Sequence, residues 1–129
     1  SHAVNDPGTA IQAMTIMTRL LVRIGQPVDD KQRQNAPHLP YVTLVPLAPS
    51  CLIHDGFDPI ARDGAGTQEV LTRMQQLLAM IARTTPMLAS AARTQAATAL
   101  AQGERSLPLP QQVQALRQLH QQLHAPSKD

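Results

Sequence analysis

Four groups of residues in this 129-residue chain have the types and spacing to do chemistry. His120 and His124 stand four apart, a spacing that puts two imidazoles on one helix face, as in two-histidine metal pairs. The metalloprotease version places Glu directly after the first His, and here that position is Gln121. No third ligand is near in sequence, against the three or four that zinc takes, so the pair reads as the solvated polar face of a terminal helix. His54, Asp55 and Asp58 are denser. On a helix, Asp58 would share a face with His54 and orient its imidazole for acid–base work. No nucleophile completes a triad, because Cys51 precedes His54 on an apolar-patterned stretch, and a charged outer face is the simpler reading. Cys51 itself reads as small buried filler, although a place in the first turn of a helix would lower its thiol pKa.

Asn5, Asp6, Gly8 and Thr9 form the fourth group. Asp6 suits the N-cap of a helix that Pro7 opens; Asn5, Gly8 and Thr9 are not needed for that cap. Free amides at a helix start, beside a threonine hydroxyl, can hold an anion. An acidic cap opposes an anion, so a carbonyl or a cation stands equally open. Asn5, Asp6, Thr9 and Asp58 are therefore the candidate ligand-binding residues. No residue is assigned a catalytic or metal-ligating role, and no cofactor is implied.

These groups must be positioned by helices. Ile11, Met14, Met17, Leu21 and Ile24 recur at helical spacing after Pro7, and Ile16 and Leu20 add a second apolar row, which predicts a helix buried on more than one side. Gly25 and Pro27 close it. Residues 26–40 are polar and broken by prolines, a loop or short hairpin arm. "YVTLVPL", 41–47, has the β-branched and aromatic content of a strand. Ser50 is placed to cap the next helix, which carries Leu52, Ile53, Phe57, Ile60 and Ala61; Pro59 predicts a kink or break near Asp58. Thr67 caps the clearest helix, with Val70, Leu71, Met74, Leu77, Leu78 and Ile81 as its stripe. Pro86 opens an Ala-rich helix to about Ala101, "GERSLPLP" reads as a linker, and a last helix runs from Pro110 to about His124. The expected fold is mainly α, a compact bundle of five or six helices with one short β-strand or hairpin, in a single domain over 1–129.

Composition narrows the function classes. Apolar residues are 43% of the chain, enough for one core. Aromatics are 2%, with Tyr41, Phe57 and no Trp, which argues against base-stacking nucleic-acid readers and aromatic cages. The net charge is only +2, and Arg62, Arg73, Arg83, Arg93, Arg105 and Arg117 are dispersed where a nucleic-acid footprint needs clustering. Nucleic acid is not an expected partner. A single cysteine forms no internal disulfide and fits a reducing compartment. No stretch reaches the roughly 18 apolar residues of a membrane span, and no signal peptide is visible.

"SHAVNDPGTA" resembles an element of a family of bacterial predicted integral membrane proteins of unknown function, Ala-Leu-Ser-Pro-Ala-Ile-Asn-Asp-Pro-x-Thr-Ala. Ser1, Ala3, Val4, Asn5, Asp6, Pro7, Thr9 and Ala10 stand at matching positions. "HDGFDPIARDGAG" is similar to the family's Phe-Asp-x-Ile-Arg-x-Tyr-Gly-Ala element through Phe57, Asp58, Ile60, Gly64 and Ala65. The departures are His2 for Pro, the inserted Pro59, Arg62 one place later than expected, and Asp63 for Tyr. The resemblance implies a soluble piece of a longer protein, with transmembrane helices of the same chain upstream, at the cytoplasmic face of the bacterial inner membrane. It implies no activity. Two functions are compatible with these residues. One is an oligomerisation or protein-interaction module, expected to form a homo-oligomer. The other is a small-molecule or ion-sensing domain, conceivably enzymatic, in which Asn5, Asp6 and Thr9 meet Asp58 around one pocket. The lack of a complete catalytic set favours the first.

Overall fold

The computed structural model describes residues 6–26 and 48–125. They form five helices: α1 (Pro7–Ile24), α2 (Pro49–Asp63), α3 (Gln68–Thr84), α4 (Pro86–Ser106) and α5 (Pro110–His124). Proline stands in the first turn of α1, α2, α4 and α5, where a missing N–H costs nothing and a fixed φ favours the helix. The mainly α bundle is as expected. There is no strand among the described residues, and the strand expected at 41–47 lies outside them.

α3 is the centre, packing against all four other helices, and α4 packs against α2, α3 and α5. The reason is readable in α3 itself, which buries Val70, Leu71, Met74, Leu78 and Ile81 at helical spacing and adds Gln75, Ala79 and Ala82. That wraps its apolar surface around more than one face, so it needs partners on several sides. α4 answers with Ala92, Ala96 and Ala99, all fully buried. Their small side chains let the two backbones approach closely. Phe57 from α2 and Met14 from α1 complete the core, both with no exposed surface.

Five local expectations are corrected. α2 starts one residue before Ser50, with Ala48 at the N-cap and Pro49 in the first turn, and it continues through Pro59 to Asp63. An interior proline costs about 3 kcal/mol, and the burial of Ile53, Phe57 and Ala61 on either side of it outweighs that cost. α1 is buried on one side only. Met14, Thr18 and Leu21 face the core, whereas Ile16, Leu20 and Ile24 are 58%, 56% and 61% exposed. Cys51 is exposed, not core filler.

The fifth correction is the supposed linker. α4 runs on through Gly103, Glu104, Arg105 and Ser106. Gly103 reads as a helix breaker but serves close approach. A Cβ there would lie 2.7 Å from Leu116 Cδ2 and 2.8 Å from Leu71 Cδ1, so both leucine tips would have to shift for a larger residue to fit where α5 and α3 meet over it. Gly25 works the same way. It keeps right-handed backbone geometry, φ −78°, and a Cβ there would meet the Thr85 methyl at 2.2 Å. Gly103→Val is expected to lower stability by about 1–3 kcal/mol through overpacking, read by urea denaturation. An unchanged midpoint would mean that Leu71 and Leu116 give way freely.

Candidate functional site

Asp6 precedes the first turn of α1. Its carboxylate accepts a 2.8 Å hydrogen bond from the Thr9 hydroxyl, and no first-turn amide closes a well-formed side-chain cap on it. The Thr9 hydroxyl foremost, and then the nearby Gly8 and Thr9 amides, hold the Asp6 carboxyl below the ordinary aspartate value. Asp6 and Thr9 line a cleft of about 210 Å³ between α1 and the C-terminal end of α2. Its other polar walls are Asp63, the Gly64 backbone and Thr67, and Ile60 and Val70 form its apolar side. Asn5 lies outside the described residues.

Asp58 does not line this cleft. It faces the other way, toward α4, and is 7% exposed. One carboxylate oxygen accepts long bonds, 3.4 Å each, from the Gln95 and Gln102 side-chain amides. The other meets Arg62 Nε at 3.1 Å, one helical turn on. The Arg62 side chain is mostly exposed, so this ion pair by itself contributes little. The buried contacts to α4 are what Asp58 supplies, docking α2 on α4. The two sequence motifs therefore do meet in space, but through Asp63 and Gly64 rather than through Asp58. Both were inside the second motif, and its signal for them was only position: they follow Ile60 by one turn on the face that turns toward α1.

The other groups separate in the same way. Cys51, His54 and Asp55 lie along an open groove between the start of α2 and α4, whose far wall is Ser90, Thr94 and Thr98. His120 and His124 are not the solvated face expected of them. Both are half-buried on α5, their rings stacked with centroids 5.0 Å apart, and both bind Gln75 of α3. His120 Nδ1 lies 2.9 Å from Gln75 Oε1, and His124 Nε2 lies 3.1 Å from the Gln75 carbonyl oxygen. Gln75 Nε2 donates to the Ala96 carbonyl of α4 at 2.8 Å. Sequence reading missed Gln75. The available signal was a polar residue in the middle of an apolar stripe, one place after Met74 and three before Leu78. Among the described residues, no group of three or more His, Cys, Asp or Glu side chains could hold a metal ion.

The sequence profile of a family described as "predicted membrane protein (DUF2254)" matches residues 1–80. That span contains both motifs, all of α1 and α2, and most of α3. No curated protein and no solved structure matches the chain. No helix among the described residues is long and apolar enough to cross a membrane.

If Asp58 works through its contacts to α4, Asp58→Ala leaves two largely buried amides unpaired. It is expected to destabilise the chain by about 1–3 kcal/mol, measured by urea denaturation. A loss within error of zero would free Asp58 for another role.

Proposed function

The chain belongs to this family of predicted membrane proteins, and we propose that it is an assembly module whose contact surface is the outer face of α1 and whose partner is a second copy of itself. The observation that carries this is the row Ile16, Leu20 and Ile24, exposed at four-residue spacing. Val22 and Met80 of α3 extend it into a shallow apolar groove flanked by Arg19 and Arg23. A ridge of side chains at i, i+4 and i+8 is the shape that packs into the grooves of another helix. A monomer has little reason to keep three large aliphatic residues together in water. Apolar centres with arginine at the edge are common at subunit interfaces.

Native mass spectrometry of wild type and Leu20→Glu tests this reading. A dimer or larger species for wild type, reduced to monomer by the substitution, is the expected result. A wild-type chain that stays monomeric at every concentration would sink it.

A second reading rests on a different observation, the convergence of both motifs on the Asp6–Thr9–Asp63–Gly64 cleft. Two carboxylates, one of them held in its ionised form by its own hydrogen bonds, suit a small cation or a ligand presenting donors, and disfavour an anion. Thermal unfolding with calcium, magnesium or manganese added one at a time tests this sensing role. A rise in the midpoint that Asp63→Asn abolishes would support it, and no rise with any of the three would count against a cation.

A further inference from the structure

Gln75 has no exposed surface, yet every polar atom of its side chain is used. The Ala96 carbonyl can only accept, so the Gln75 atom facing it is the amide nitrogen. The oxygen therefore faces His120, which must carry its hydrogen on Nδ1 to donate to it. His124 likewise faces a main-chain carbonyl and must carry its hydrogen on Nε2. The neutral rings already make these bonds, and protonation would keep them, so a proton acts on the contact through the charge it brings and not by removing a bond. The remaining nitrogen of His124, Nδ1, is buried with no partner among the described residues. A proton placed there would be a charged donor in a dry site with nothing to receive it.

The rest of α5 holds less firmly. Leu116 is its one fully buried residue, packed over Gly103 near the middle of the helix. Beyond it Leu119 and Leu123 are half-exposed, so the C-terminal half depends on the two histidines. We infer that the C-terminal half of α5 is a proton-released latch, closed on Gln75 by neutral His120 and His124 and opened when they take up protons, uncovering the α3–α4 seam.

The surrounding charges agree with this. Burial lowers the pKa of His120, with Glu104 of α4 acting in the opposite sense; Glu104 is itself paired with Arg117. Burial also lowers the pKa of His124, opposed by its bond to the Gln75 carbonyl and reinforced by His120 and by Arg93 of α4. From α3 it is the uncharged Gln75 that faces the pair. Docked histidines with lowered pKa bind protons less readily than undocked ones. The part of the docking free energy that depends on uncharged rings is therefore complete above the ordinary histidine value, about 6.5, and is lost as pH falls from there through the lowered docked values.

Hydrogen exchange on the whole 129-residue chain, corrected for intrinsic rates, is the test. Between pH 7.5 and 5.5, protection at residues 119–124 is expected to fall about tenfold while α3 and the N-terminal half of α4 hold theirs. In the double variant His120→Asn and His124→Gln, neutral amides stand where the two donating ring nitrogens stood, and protection should become independent of pH. Unchanged wild-type protection, or a double variant that keeps the wild-type pH response, would overturn the latch. If that variant fails to fold, NMR titration of the two wild-type rings decides. Ring pKa values below the free-histidine value, moving together with α5 exchange, sustain the latch; ordinary values end it.

Discussion

Gln75 is fully buried with both ends of its side-chain amide paired, and those bonds tie three helices together. Leaving such a group unpaired costs about 1–3 kcal/mol, while each bond it makes returns about 1. The buried amide therefore specifies arrangement more than it adds stability. Its nitrogen fixes how far along α4 the α3 helix sits, through Ala96. Its oxygen and backbone carbonyl fix where α5 ends, through His120 and His124. Sliding α3 by a turn against its neighbours would break these bonds, a constraint that a purely apolar seam would lack. The alanines and Gly103 of α4 serve the same geometry by bringing the backbones close enough for a glutamine to span.

A second set of contacts is made by carboxylates. Asp6, Asp58 and Asp63 all fall within the two motifs, but they have separate duties. Asp58 is turned inward to α4 and belongs to the scaffold. Asp6 and Asp63 border the small cleft between α1 and α2, with Thr9 and Thr67. The helix that carries both Asp58 and Asp63 explains the division, since residues five apart project from different sides. Pro59 between them is carried within the same continuous helix, its cost met by the apolar side chains that flank it in the core. The outer face of α1, by contrast, has no partner among the described residues, and its Ile16, Leu20 and Ile24 are each more than half exposed.

Much of the scaffold was legible in the sequence. Proline with its helix-opening φ gives the starts of α1, α4 and α5, and the 3.6-residue periodicity of α3 identifies that helix and its buried Val70, Leu71, Met74, Leu78 and Ile81, but not its buried Gln75, Ala79 and Ala82. The Asp6–Pro7 start of α1 and the Pro110–His124 span of α5 are read from local chemistry alone, because capping and proline effects act within one turn. The family relationship was legible too, from the order and spacing of two short motifs.

What periodicity could not decide was which partner each surface meets. Ile16 and Leu20 have the same spacing whether they face a core or water, so α1 was expected to be buried on sides that the bundle leaves open. Gly103 is a breaker by propensity, and only the approach of Leu71 and Leu116 makes it a helical contact. Asp58 and His124 carry chemistry in isolation and become scaffold once Gln102, Gln95 and Gln75 stand opposite them. Local sequence thus determined where helices begin, how long they run within a turn or two, and which faces are apolar. Tertiary structure alone decided which polar groups are spent on one another, because hydrogen-bond partners 37 to 49 residues apart leave no pattern within any single helix.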